Sequence, residues 1–177
     1  FIEHRMLYYQ KGLVPSDPYT VPFGKARLLS QGDDVTLVGM SQMAVECLRA
    51  RRHLLEVGIE AEVIDPVSLS PLDMETISAS VMKTGNLIVV DNAWLPCGAG
   101  AEIITRLMES GRHNMLHVRR LGFAFITCPT SPPLEQEFYP DARKIAIEAF
   151  KMLNPKNKSW EPKAKLLVEE VEFKGPF

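Results

Sequence analysis

Ala61-Glu62-Val63-Ile64-Asp65-Pro66-Val67-Ser68-Leu69-Ser70-Pro71-Leu72-Asp73 is the stretch on which the fold turns. Its first five residues read as a short buried strand. Ser70-Pro71-Leu72-Asp73 then gives a helix-start signal: a serine cap, proline at the first helical position, and an acid three residues after the cap. The helix beyond it carries Met74, Ile77 and Val81 inward and stops at Gly85. A strand that runs straight into a helix of this length is one half of a parallel crossover unit.

The same unit recurs on both sides. Upstream, Val35-Thr36-Leu37-Val38 reads as a strand closed by Gly39. Ser41 is placed to cap the next helix, whose positions Ala44, Cys47, Leu48, Leu54 and Leu55 share a face before Gly58 ends it in the left-handed conformation. Downstream, Leu87-Ile88-Val89-Val90 is a strand leading to Asp91-Asn92. After Trp94-Leu95-Pro96-Cys97, Gly100, Ile103, Ile104, Leu107 and Met108 fall on one helical face that ends at Gly111. Leu116-His117-Val118 opens a fourth strand. A last helix comes after Tyr139-Pro140-Asp141, with Ala142, Ile145, Ala146, Ala149, Phe150 and Leu153 on its stripe. Four such units predict an α/β fold: a three-layer α/β/α sandwich around an open, mostly parallel sheet.

The ends read differently. Residues 1–9 are apolar and aromatic enough for a strand. Pro15, Pro18 and Pro22 stiffen the next stretch, so residues 10–33 read as a linker, 34–153 as the main domain, and 154–177 as a polar tail. Within that tail Leu166-Leu167-Val168 and Val171-Glu172-Phe173 are placed to pack on a partner. The opening Phe1-Ile2-Glu3-His4, without Met, reads as the middle of a longer protein.

Composition narrows the function. The chain has 177 residues, 46% hydrophobic and 24% charged, with a net charge of -2, which leaves no overall electrostatic footprint for nucleic acid. The basic run Arg49-Ala50-Arg51-Arg52-His53 reads as a solvated helix face. Cys47, Cys97 and Cys128 are far apart and lack CxxC spacing, which fits a reducing compartment. No apolar run approaches the roughly 18 residues of a membrane span.

Candidate chemistry is sparse. Gly98-Ala99-Gly100-Ala101-Glu102 opens a helix after a strand, as a phosphate-binding turn would, but Ile103 stands where the third glycine belongs. Close packing of helix on sheet is the favoured reading, and ligand contact the other. His53 and His113 read as solvated, and His117 as a satisfied edge residue. His4, between Glu3 and Arg5, is the one histidine placed at the edge of a substrate cleft. Cys97 precedes the glycine-rich helix start but has no histidine near it in sequence. Asp65, Asp73 and Asp91 sit near strand ends, where carboxylates also cap helices, and no pair has metal-site spacing. The sequence therefore nominates no catalytic, cofactor-binding or metal-ligating residue.

Several segments, taken together, resemble one family. Glu3-His4-Arg5-Met6-Leu7-Tyr8 with Val21-Pro22-Phe23-Gly24-Lys25-Ala26 is similar to the segment joining the two halves of the beta subunit in thiamine-diphosphate-dependent 2-oxo acid dehydrogenases. Gly32 to Val38, Val63 to Asp73, Ser80 to Gly85 and Gly98 to Ile103 match its C-terminal, transketolase-like domain in order and spacing. The resemblance implies that residues 1–9 end an upstream pyrimidine-binding domain. It implies a heterotetramer with an alpha subunit and a second beta subunit, and in some members docking of a lipoyl acyltransferase core. Thiamine diphosphate and magnesium would be held by the alpha subunit and the N-terminal half of beta, so no catalytic residue carries over, and the fragment alone is expected to be inactive. Cytoplasm or mitochondrial matrix is the implied location. Leu121 to Pro129 departs from the family's usual turn, and the tail after Asn154 runs past its usual end. Self-association is expected, with Trp94 and Phe123 to Ile126 as contacts. The alternatives are the same domain of a transketolase or deoxyxylulose-phosphate synthase, and a nucleotide- or flavin-binding module using Gly98 to Gly100.

Overall fold

The computed structural model describes residues 1–111, 117–157 and 159–163. Five strands, β1 (Arg27–Ser30), β2 (Val35–Gly39), β3 (Ala61–Asp65), β4 (Asn86–Trp94) and β5 (His117–Phe123), form one sheet in the order β1-β3-β2-β4-β5. β3, β2, β4 and β5 are parallel, and β1 is an antiparallel edge strand. Five α-helices complete the chain: α1 (Gln42–Leu55), α2 (Met74–Thr84), α3 (Ala99–Glu109), α4 (Pro132–Phe138) and α5 (Ala142–Leu153).

Alternation along each strand divides the core between two faces. Val35 and Leu37 of β2, Ala61 and Val63 of β3, and Ile88 and Val90 of β4 face α1 and α5. Val38, Ile64, Leu87 and Val89 face α2 and α3. Leu37, Ile64, Ile77, Leu87, Ile88, Ile103, Leu107 and Ile145 are fully buried, each worth about 1.5–3 kcal/mol relative to exposure. The three-layer α/β/α sandwich expected from the sequence is therefore present. No described helix is long and apolar enough to cross a membrane.

Several local expectations need correction. Residues 1–9 hold no strand: Arg5–Tyr9 is a 3-10 turn without a buried residue, because an apolar run becomes a strand only where another strand can pair with it. The segment read as a linker contains β1, whose bulged pairing with β3 involves only four residues. α2 begins at Met74, and Asp73 caps it rather than Ser70, accepting the Thr76 amide at 3.1 Å. Ser41 precedes α1 at φ 55 and makes no capping bond. Leu55 and Met108, read as inward, are 41% and 50% exposed. α4, opened by Pro132 and Pro133, has no counterpart in the sequence reading. His113 and the apolar pairs of the tail lie outside the described residues.

The basic run of α1 is likewise no solvated face. Glu46, Arg49, Ala50 and His53 lie along one helical stripe, and α5 covers that stripe. Arg49 is ion-paired to Glu46, whose other oxygen accepts the Ala142 amide at 3.0 Å. His53 is 1% exposed, and burial lowers its pKa against the opposing pull of Glu56 and Asp141.

Candidate functional site at the carboxyl edge of the sheet

In an open parallel sheet, ligands collect at the carboxyl ends of the strands, where chain order reverses. Here β3 lies on one side of β2 and β4 on the other, so the reversal falls between β2 and β4. The loops leaving β2, β3 and β4 at this edge each contain a non-glycine residue at positive φ: Ser41 (55°), Val67 (57°) and Cys97 (58°). Each such residue costs on the order of 1–3 kcal/mol. Asp65 contributes to one of these loops by accepting the Val67 amide at 2.9 Å.

The carboxylates at this edge serve the fold. Burial pushes the Asp65 carboxyl up despite the Val67 amide and Arg27, the latter 3.7 Å away. Burial also works to raise Asp73, but bonds from the Ala26 amide and from Thr76 outweigh it and hold the group below its usual range. Asp73 thereby ties the start of β1 to the start of α2. Asp91 is pushed up by burial while accepting the amides of Asn92 and Ala99.

That last contact decides the glycine-rich turn. Ala99 is the first residue of α3, so the anion at this helix N-terminus is the chain's own Asp91. A phosphate placed there would meet a carboxylate. Gly100 is buried, and a Cβ on it would lie 3.1 Å from Val89 Cγ1, tighter than an ordinary contact. Close packing of α3 on β4 accounts for Gly100.

Among the histidines, His117 is exposed on the edge strand β5, its Nδ1 3.1 Å from Asn86 Oδ1, in keeping with a satisfied edge residue. His4 comes to the reversal point itself. Its Nδ1 accepts the Met6 amide at 3.3 Å, and its Nε2 lies 3.3 Å from the side-chain amide of Asn92. The Asn92 side-chain Nδ2 also donates to Oε1 of Gln42, the first residue of α1, at 3.3 Å. The Asn92 Oδ1 is buried and has no hydrogen-bond partner among the described residues. Sequence reasoning finds His4 but not Asn92 or Gln42. Single amide residues carry no pattern, and only the reversal of strand order brings them together.

An aromatic surface lies beyond the ends of β4 and β5. Trp94 and Phe125 meet edge to face at 5.9 Å, and Phe123, Phe138 and Tyr139 stack within about 5 Å of one another. Trp94, Phe125, Ile126 and Leu134 are all at least half exposed. Cys97 and Cys128 are exposed, Cys128 lying 3.4 Å from the Tyr139 hydroxyl, while Cys47 is buried and burial pushes its thiol up. Among the described residues no cluster of three His, Cys, Asp or Glu side chains could hold a metal ion. With the α3 N-terminus taken by Asp91, these residues do not fit a diphosphate and its magnesium.

The sheet order, the single antiparallel edge strand and the helices on both faces define a doubly wound α/β domain of the three-layer class. The chain belongs to the family described as transketolase, C-terminal domain, which matches residues 24–145. It is 38% identical over 155 residues to the acetoin:2,6-dichlorophenolindophenol oxidoreductase subunit beta of Bacillus subtilis, covering 86% of this chain and 45% of that protein. It is 38% identical over 141 residues to the mitochondrial pyruvate dehydrogenase E1 component subunit beta of Homo sapiens, covering 78% and 39%. A solved structure, a split-gene transketolase in an inactive beta4 tetramer, superposes with a TM-score of 0.71 at 26% identity, over 84% of this chain and 48% of that one. The chain thus spans less than half the length of each of these relatives.

Proposed function

We propose that this chain is the assembly domain of the beta subunit of a thiamine-diphosphate-dependent 2-oxo acid dehydrogenase, one that oxidatively decarboxylates a 2-oxo acid and passes the acyl group to a lipoyl acyltransferase. The observation that carries this reading is the likeness to oxidoreductase beta subunits over 78–86% of the chain. The exposed aromatic surface around Trp94 and Phe125 supports it, because contiguous apolar area on a small domain marks a contact with another chain. An alpha subunit and a second beta subunit are the partners, with the acyltransferase core a further one. The cofactor and magnesium would sit between the alpha subunit and the pyrimidine-binding half of beta. This domain's share of the activity is to hold those parts in register, in the cytoplasm or the mitochondrial matrix.

Calorimetry of the 177-residue chain with thiamine diphosphate and magnesium is expected to give no saturable binding at high micromolar ligand. Decarboxylation of a 2-oxo acid is expected to appear when the alpha chain and a full-length beta subunit carrying these residues are combined. Tight cofactor binding by the chain alone would overturn the reading. Sedimentation is expected to give a dimer or larger species that Trp94→Ser and Phe125→Ser weaken, and a clean monomer at high concentration would remove the assembly role.

A further inference from the structure

The two edges of the sheet are protected to different degrees. β1 closes one edge with four residues and a bulged register, both of which discourage a further strand. β5 forms the other edge with seven residues, and among the described residues no strand lies beyond it. No described backbone group outside β4 bonds to β5 between Val118 and Gly122. The N–H and C=O groups of β5 that point away from β4 therefore call for partners.

The chain returns to this edge after α5. Trp160 stacks on Phe150 with ring centroids 4.9 Å apart, Glu161 is ion-paired to Arg143, and Pro162 is buried. These contacts carry the chain back along α5 from its last turn to its first. That first turn follows Phe138 and Tyr139, whose rings lie 4.8 and 5.2 Å from Phe123, the last residue of β5. Lys163 is thus delivered toward the Phe123 end of the open edge, and the three residues from there to Leu166 can span about 10 Å. A strand that enters the edge at this end runs antiparallel to β5.

Leu166-Leu167-Val168-Glu169-Glu170-Val171-Glu172 matches β5 in one antiparallel register. With Leu166 opposite Phe123, Val168 falls opposite Leu121 and Val171 opposite Val118. Glu169, Glu170 and Glu172 then fall opposite Arg120, Arg119 and His117, so every acid meets a base. A shift by one or two residues in either direction sets a glutamate against Val118 or Leu121, and the pattern therefore specifies a single pairing. We propose that this segment of the chain's own tail adds to β5 as an antiparallel sixth strand and closes the open edge of the sheet. The proposal goes beyond the assembly role, because the aromatic surface lies past the strand ends and not along this edge.

NMR of the 177-residue chain tests the pairing directly. Cross-strand NOEs between Val168 and Leu121 and between Val171 and Val118 are expected, with slow hydrogen exchange at the β5 amides that point away from β4. Val168→Pro combined with Val171→Pro removes two amide donors from the tail and is expected to leave those β5 amides unprotected. Glu170→Arg sets like charges opposite each other and is expected to speed their exchange about fivefold; Arg119→Glu in the same chain should restore it. Mixing isotope-labelled and unlabelled chains identifies the source of the strand, and NOEs confined to one chain are expected. NOEs found only between chains would assign the edge to a second copy and overturn the proposal. Fast exchange of the outward amides in the wild type, or protection that survives both prolines, would overturn it as well. None of these readouts involves the alpha subunit or the cofactor, so failure here is distinct from failure of the assembly role.

Discussion

The crossing from β2 into α1 and the crossing from β4 into α3 leave the sheet at the same edge, and both carry glycine. At the β4 crossing the glycines are conspicuous in sequence, yet Asp91 occupies the helix N-terminus and Val89 fills the space beside Gly100. At the β2 crossing a single glycine precedes a strained serine, no acid caps the helix, and the Asn92 amide oxygen is left without a partner. Glycine spacing alone therefore does not indicate an anion site: at the β4 crossing the chain itself supplies the anion.

The two glycines also separate by what stands opposite them. A Cβ on Gly39 would lie 2.5 Å from the Met43 carbonyl oxygen and 2.6 Å from the Ala44 nitrogen, both backbone atoms of α1. Gly39→Ala is thus expected to cost about 3 kcal/mol, at the upper end of overpacking effects, because the helix itself must move. Gly100→Leu meets the Val89 side chain, which can shift, and about 2 kcal/mol is expected. Denaturant midpoints at unchanged slope measure both. If Gly100→Leu proved the costlier, the contrast between a backbone wall and a side-chain wall would fail.

Asp91 tests the occupied crossing more gently. Asp91→Ala removes the carboxylate that receives Ala99, and about 1 kcal/mol is expected at pH 7, as for loss of a helix cap. Burial holds the folded carboxyl above its unfolded value, so its stabilisation is full at low pH and declines as pH rises through the folded pKa. The difference between wild type and Asp91→Ala should therefore be larger at pH 4 than at pH 7. A difference that shrinks on acidification would mean that the ionised carboxylate, not burial, governs this group.

Legibility in the sequence divides in the same way, between local signals and long-range ones. Strand and helix positions from Val35 to Glu109 are readable because hydrophobic period and glycine stops are local signals, and the α/β class rests on their alternation. β1 escapes that reading because Arg27-Leu28-Leu29-Ser30 is a short edge strand that exists by pairing with β3. α4 escapes it because its two prolines and three polar residues give no stripe. The site is half legible: His4 draws notice beside a strand-like segment, but Asn92 and Gln42 reach it only through the order of strands. The basic stripe of α1 misleads for a related reason, since nothing in its own residues announces that α5 will cover it.

That stripe supplies the smallest effect and the last comparison, between a histidine taken into the core and one left at the rim. His53 is fully enclosed and its ring is held neutral by burial, whereas His4 is only partly covered. A base whose folded pKa lies below its unfolded value, about 6.5, stabilises the fold above that value. The contribution is lost as pH falls below it, because the unfolded chain takes up the proton first. Wild type should lose stability relative to His53→Gln between pH 7 and pH 5. Thermal or urea unfolding at the two pH values reads the difference. Parallel pH curves for wild type and His53→Gln would mean that Glu56, 3.9 Å from the ring, compensates the buried charge after all.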